Sequence, residues 1–391
     1  MSPVDLSTNY CGLQLPNPVI IAPAAVTETA EHIKKCEDAG AAAAVMKSYF
    51  EFEPARRHAT PRFRVIRSAG SMATGVLYSF EQASVFDLDR YCEEIRRARQ
   101  CCSLAVLASL NCHTDDHWRE ASAAVEQAGA QGIELNCSCP HGTHIMQGQD
   151  IVDAMVGALT IAREATSLPL IPKITPQLAR PDQAAIRLQE AGADAVVMFN
   201  RFTGLDLDLQ TQRPLLHGGY AGHGGPWAIH YVLRWITATY PHLAIPIAAS
   251  GGAFDAAGVA KMLLAGATAV QVCSAVVVEG YGAITHILGG LREYLEGHGH
   301  AGVDEIRGLV CDRILSLDAI DRRNRHFALV DEERCTGCGL CGRVCIYGAV
   351  GEGAGVARID AAVCDGCGLC AELCPADAIT MEERPTPLER R

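Results

Sequence analysis

Eight cysteines crowd into forty residues near the C-terminal end of this 391-residue chain, as Cys335, Cys338, Cys341 and Cys345, then Cys364, Cys367, Cys370 and Cys374, which Pro375 follows. Cys-x2-Cys-x2-Cys-x3-Cys written twice is the spacing that encloses two [4Fe-4S] clusters. Three cysteines two residues apart wrap one face of a cuboid, and the fourth sits too far round the turn and ligates the other cluster. The expected sets are therefore Cys335, Cys338 and Cys341 with Cys374, and Cys364, Cys367 and Cys370 with Cys345. A pair of zinc sites is the alternative, but zinc needs only four ligands and rarely uses three evenly spaced cysteines plus one. A chain so equipped handles single electrons.

The cluster motif claims about sixty residues and leaves about 300 for one larger domain. Half the residues are hydrophobic, yet no run reaches the eighteen or more uncharged apolar residues of a membrane span, and Met1 to Asn9 carries no basic, apolar signal. The reading is a soluble, cytoplasmic protein without a membrane. The ten other cysteines show no pairing rhythm, which suits a reducing compartment. A formal charge of −12 argues against nucleic acid as a partner. The basic stretch Arg56, Arg57, Arg62, Arg64 and Arg67 is read as a solvated loop, with a docking or anion site as the other possibility.

Ala-Gly-Ala recurs at 39–41, 128–130, 191–193 and 265–267, each time after a helical pattern and before a short apolar run. Glycine just past a helix end takes the left-handed conformation, and continuous apolar runs suit strands covered on both faces. With Val19 to Ala22, Leu104 to Leu110, Leu170 to Ile171 and Ile245 to Ala249, the count of strand-then-helix units reaches eight. The predicted fold class is α/β, a (β/α)8 TIM barrel; an open doubly wound sheet is the rival, since periodicity does not show closure. The expected domains are the barrel over 1–300, a helical linker over 301–326, a bacterial-type 2[4Fe-4S] ferredoxin domain over 327–381 and a flexible tail over 382–391.

In such a barrel reactive groups gather where strands end and βα loops begin. Strand two ends in Lys47-Ser48, strand four in Asn136-Cys137-Ser138-Cys139-Pro140-His141-Gly142, strand five in Lys173 and strand six in Asn200-Arg201. Strands seven and eight end in Ser250-Gly251-Gly252 and Cys273-Ser274, in the loops that seat a phosphate. Lys173 stands alone in an apolar strand, where it serves a ligand or snorkels at the strand end. Asn136 and Asn200 each offer both a donor and an acceptor where a strand ends, or else serve as turn formers. Cys139, a thiol protonated at neutral pH, is the candidate general acid or base, or else a small buried hydrophobe. Cys137 is read as packing, and His141 either assists Cys139 or follows Pro140 in a turn.

The segments Asn136 to Gly142, Lys173 to Pro176, Ser250 to Gly252 and Gln271 to Ala275 resemble the flavin domain of the dihydropyrimidine dehydrogenases and, more distantly, the dihydroorotate dehydrogenases, over about residues 5 to 296. The resemblance implies an oxidoreductase in which FMN exchanges a hydride with a carbon–carbon bond conjugated to a carbonyl, Cys139 exchanges the proton, and two [4Fe-4S] clusters relay electrons. It implies FMN contacts at Ala22, Lys47, Ser48, Asn136, Lys173, Asn200, Gly225, Ser250, Gly251, Gly252, Cys273 and Ser274. Substrate contacts are implied at Ser79, Asn136, Ser138, Asn200 and Arg201.

Two positions depart from the family pattern. Ser79 stands where an asparagine is expected, and Arg201 replaces a threonine, so Arg201 either meets a substrate carboxylate or pairs with Asp206 or Asp208. No glycine fingerprint for a nicotinamide or FAD opens a helix after a strand. The expected electron partner is therefore a flavoprotein subunit that oxidises NAD(P)H, or a ferredoxin, in a homo- or hetero-oligomer. An electron-transfer subunit without its own substrate is the competing function, as is a reductase of a carboxylate-bearing enone outside the pyrimidines.

Overall fold

The computed structural model describes residues 4–388 apart from 69–70, 81–82, 138–149, 216, 218 and 354. The chain divides into two compact units, Met1–Ile314 and Leu315–Arg391.

The first unit is built on eight parallel strands: β1 Val19–Ile21, β2 Ala43–Val45, β3 Ala105–Asn111, β4 Ile133–Leu135, β5 Leu170–Ile174, β6 Val196–Met198, β7 Ile247–Ser250 and β8 Ala269–Val272. Each pairs with its neighbours in sequence, and β8 returns to β1 through Val270↔Val19 and Val272↔Ile21. The ring is complete because β1 also pairs with β2 and β2 with β3, through Ala43↔Ala105 and Val45↔Leu107. An open sheet is thereby excluded, and the (β/α)8 barrel read from the sequence is the fold.

Helices cover the outside because their apolar residues recur at helical spacing. In Leu88–Cys101, capped by Asp87 accepting from the Arg90 amide, the buried residues include Tyr91, Cys92, Ile95 and Ala98. In Asp115–Gln127, capped by Thr114, they are Trp118, Ala121, Ser122 and Val125. The Ala-Gly-Ala signals act as helix stops: Gly129 adopts φ +96° and donates to Glu126 O, and Ala130 donates to Val125 O.

Side chains alternate along each strand, so every second residue enters the barrel. Ile20, Ala43, Val45, Leu107, Ile171, Val197, Ala248 and Ala269 form the inner core with Tyr10 and Leu15. Those last two come from the Thr8–Tyr10 and Leu13–Leu15 hairpin.

Four further strands form a separate antiparallel sheet in the order Phe202–Gly204, Ala221–Gly224, Ser71–Ser79, Phe63–Ser68. The basic stretch read from the sequence as a solvated loop runs into the Phe63–Ser68 strand with Arg64 and Arg67, and Ser79 is the last residue of its neighbour.

In the second unit Asn324–Val330 pairs antiparallel with Ile379–Leu388, and Val350–Gly353 with Val356–Ile359. Residues 382–388, expected as part of a flexible tail, continue a strand whose register joins Glu382 to Phe327 and Leu388 to Asn324. Glu382 and Glu383 continue the ladder opposite Phe327 and His326, and the Arg384 guanidinium donates to the carbonyls of His326, Ala361 and Cys364. Two short helices, Leu340–Val344 and Leu369–Glu372, each start behind a left-handed glycine, Gly339 and Gly368, which gives the halves of this unit the same design.

Candidate functional site

A cavity of about 1180 Å³, open solvent at its mouth included, lies where the barrel strands end. Ala22, Lys47, Ser48, Asn136, Lys173, Asn200, Ser250, Gly251, Gly252, Cys273 and Ser274 all line it, as do Ser79 and Arg201. The sequence positions are far apart, and barrel closure gathers them. Gly225 is not among the lining residues: a Cβ there would lie 2.4 Å from the Gly75 carbonyl, so this glycine packs the covering sheet. Ser138 and Cys139, with His141, lie outside the described residues. Desolvation pushes the Cys137 thiol up to about 12, and its side chain packs against the outer core.

Two asparagines are fixed by the barrel ladder itself. The Asn136 amide donates to Leu110 O and the Asn200 amide to Ile174 O, both at 2.8 Å, so the pairing continues one residue past the strand at Asn136 and two past it at Asn200. Their side chains then join: Asn200 Nδ2 donates to Asn136 Oδ1 at 2.9 Å, and Asn136 Nδ2 to Ser48 Oγ at 3.1 Å. Ser48 Oγ meets Ser109 Oγ at 2.7 Å, and the Arg201 amide donates to Asn200 Oδ1 at 2.9 Å. Each such bond is worth about 0.5–1.5 kcal/mol net, and the string fixes which amide atoms face the cavity. Ser109 was not foreseen, because an isolated serine in an apolar strand carries no functional signal.

Below the asparagines lies a buried polar triangle. Lys173 Nζ donates to Glu134 Oε1 at 3.1 Å and Gln271 Oε1 at 2.8 Å, while Gln271 Nε2 donates to Glu134 Oε2 at 2.6 Å. Removing one partner of such a buried pair costs about 3–5 kcal/mol, because a charge is left uncompensated. Lys47, also buried, faces the Glu28 carboxylate at 3.6 Å and His58 at 3.5 Å. Glu134 was overlooked in the sequence, although a lone carboxylate in the apolar run Ile133–Leu135 is the same kind of signal as Lys173.

The covering sheet presents one pleated face to the cavity: Leu77 and Ser79 opposite Gly224 and Gly222. A Cβ on Gly222 would fall 2.2 Å from Arg201 Cδ, so the missing side chain makes the channel in which the arginine stem lies. Arg201 Nη1 points to Ser79 Oγ at 3.5 Å. Asp206 accepts instead from the Leu207 amide, and Asp208 from the amides of Gln210 and Thr211. His223 donates from Nδ1 to Ala221 O, and burial lowers its pKa, favouring the neutral ring.

The cavity fits a phosphate-bearing ligand on its own geometry. Gly251 and Gly252 have φ of +111° and +89°, and a Cβ on Gly252 would lie 2.4 Å from the Ile229 nitrogen. A Cβ on Gly224 would lie 2.6 Å from Ser274 Oγ. These glycines pack closely on the protein side and present backbone with no side chain to the cavity they line. The helix after this loop, Ala256–Leu264, is capped by the Asp255 carboxylate on the Gly258 amide, so that helix end already has an acceptor of its own. Among the described lining residues Lys47, Lys173 and Arg201 are cationic and Glu134 is the one carboxylate, an excess of positive charge in a chain of net charge −12.

In the second unit Cys335, Cys338, Cys341 and Cys374 line one cavity, and Cys345, Cys364, Cys367 and Cys370 another. Among the described residues no three His, Cys, Asp or Glu side chains converge on a point that would hold a single metal ion. The thiols surround a space instead, as the faces of a cuboidal cluster demand. The Cys364 and Cys374 sulfurs already accept from the amides of Ala328 and Ala378, at 3.5 and 3.3 Å.

The model of the dihydroorotate dehydrogenase family matches residues 5–295, and that of the 4Fe-4S binding domain matches 328–350 and 357–380. The chain is 28% identical over 352 residues to the NAD-dependent dihydropyrimidine dehydrogenase subunit PreA of Escherichia coli, covering 86% of this chain and 84% of that protein. It is 30% identical over 313 residues to the catalytic subunit of dihydroorotate dehydrogenase B (NAD(+)) of Methanothermobacter thermautotrophicus, covering 78% of this chain and 99% of the relative. The same subunit of Pyrococcus abyssi is 29% identical over 310 residues, with 78% and 98% covered.

Proposed function

The chain belongs to the dihydroorotate dehydrogenase family and carries a 4Fe-4S binding domain, and on that basis we propose that it is an FMN- and iron–sulfur-dependent oxidoreductase of CH–CH groups. Its substrate is a carbon–carbon double bond conjugated to a carbonyl, of the dihydropyrimidine type, or the saturated counterpart. The observation that carries this reading is the meeting of Lys47, Lys173, Asn136 and Asn200 with the bare backbone of Gly251–Gly252 around one cavity at the strand ends. When bound, FMN supplies two-electron hydride chemistry and the clusters supply single-electron steps.

The protein's own contributions follow from the side chains. Beyond their mutual bond and those to Ser48 and from the Arg201 amide, Asn136 and Asn200 keep one further donor and acceptor each, which suits the amide edges of a ring. Lys173 offers positive charge where a flavin ring gains electrons, and Gly251, Gly252 and Ser274 hold the phosphate. Cys139 holds the proton exchanged with the carbon beside the carbonyl, and Ser79, Ser138 and Arg201 border the substrate. Arg201 and Ser79 in place of the family's residues favour a substrate with an anionic or strongly accepting group at that edge.

A separate subunit that oxidises NAD(P)H, or a ferredoxin, exchanges electrons with the clusters. The relatives' names, an NAD-dependent dehydrogenase subunit and a catalytic subunit, support a divided enzyme. A cytoplasmic setting agrees with the absence of disulfides among the described residues and of any helix there long and apolar enough to cross a membrane.

The test is anaerobic: dithionite-reduced protein is mixed with uracil, thymine, orotate and other enones while flavin absorbance is followed. Reoxidation by one of them is expected; if none reoxidises the flavin, the pyrimidine-type assignment is wrong. Cluster content has its own check. Cys338→Ser is expected to remove about four of about eight iron atoms per chain, read by iron assay, and to leave flavin content unchanged.

A further inference from the structure

We propose that Glu134 is a positioning residue: its carboxylate holds Lys173 Nζ and aims it along the cavity wall, so the positive charge offered to a flavin ring depends on a side chain set behind it. The inference rests on reading the cavity as the flavin site.

Three strands supply the triangle, and the barrel's alternation explains why. Ile133 and Leu135 point outward into the layer beneath the helices, which turns Glu134 inward. Ile171 and Ala269 belong to the inner core, so Lys173 and Gln271, each two residues on, face the same interior one layer nearer the strand ends. All three are almost fully covered, with exposures of 1%, 5% and 3% for Glu134, Lys173 and Gln271.

The bonds fix every atom. An ammonium group only donates, so the Gln271 oxygen faces Lys173; a carboxylate only accepts, so the Gln271 nitrogen faces Glu134. The same carboxylate also accepts from Lys173, through Oε1. Burying a charged amine costs the water it loses, and Lys47 and Arg201 on the same cavity repel a further positive charge. Glu134 is the one carboxylate among the described lining residues, and it lies 3.1 Å from Lys173 Nζ.

The alternative is a salt bridge that merely helps the barrel fold. Reduction potentials of the bound flavin separate the two, measured spectroelectrochemically on the full-length protein as wild type, Glu134→Gln, Lys173→Met, the double variant and Glu134→Asp. The expected result is that Glu134→Gln and Lys173→Met shift the potential downward alike, that the double variant goes no lower than Lys173→Met alone, and that Glu134→Asp recovers part of the loss. An unchanged or raised potential in Glu134→Gln, or additive shifts in the double variant, overturns the proposal. If Lys173→Met itself leaves the potential unchanged, the flavin reading of this wall fails, and the inference with it. If Glu134→Gln does not fold, folding of the double variant supports the same dependence, because removing the amine removes the need for the carboxylate; failure of both overturns it.

Discussion

Replacing Cys139 with alanine is expected to lower substrate turnover by about 10²–10⁴-fold, the range for loss of a positioned general acid or base, while iron and flavin contents stay at wild-type levels. Flavin reduction by an external donor should persist at its wild-type rate, since that half of the cycle needs no proton from the substrate's side. The measurement pairs stopped-flow flavin reduction with steady-state turnover. Cys139 lies beyond the described residues, and the expectation rests on its place three positions after Asn136, whose backbone is fixed by Leu110. Unchanged turnover would make the barrel an electron relay and move the substrate's chemistry to another subunit.

The second large effect is expected at Gly252. Alanine there must adopt φ near +89°, at a cost of about 1–2 kcal/mol, and its Cβ would press on the Ile229 nitrogen and Cα, which belong to a helix backbone and do not swing aside as a side chain would. Gly252→Ala is therefore expected to lower Tm by several degrees and to release flavin on gel filtration. Gly157→Ala is the contrast. That glycine lies within the helix Ile151–Ala165, a Cβ there would meet nothing within 4 Å, and alanine should stabilise by about 0.5–1 kcal/mol. A Gly252→Ala protein that melts with the wild type and keeps its flavin would show that the turn is not the cradle described above.

Some of the site was readable one strand at a time. A polar residue that ends an apolar run is a local pattern, and Lys47, Asn136, Lys173 and Asn200 were all found that way. Glu134 and Gln271 escaped because each looked like one polar residue on a strand and only their meeting with Lys173 gives them a role. Gly222 and Gly224 escaped for another reason. Their value lies in what a side chain would strike, Arg201 in one case and Ser274 in the other, and neither neighbour is near in sequence.

What the chain's order of residues settled alone was whatever depends on short-range repetition: the doubled cysteine spacing, the four Ala-Gly-Ala helix stops and the eight apolar runs that make a barrel. Such features are local because helix ends, strands and cluster loops are each written within a few turns of backbone. Closure of the ring, the antiparallel sheet that covers its mouth, the pairing of 382–388 into a strand and the Glu134–Lys173–Gln271 triangle were decided only in three dimensions. They join residues far apart in sequence, 137 positions between Glu134 and Gln271 and 251 between Val19 and Val270, and pairing over such distances depends on how the intervening elements pack.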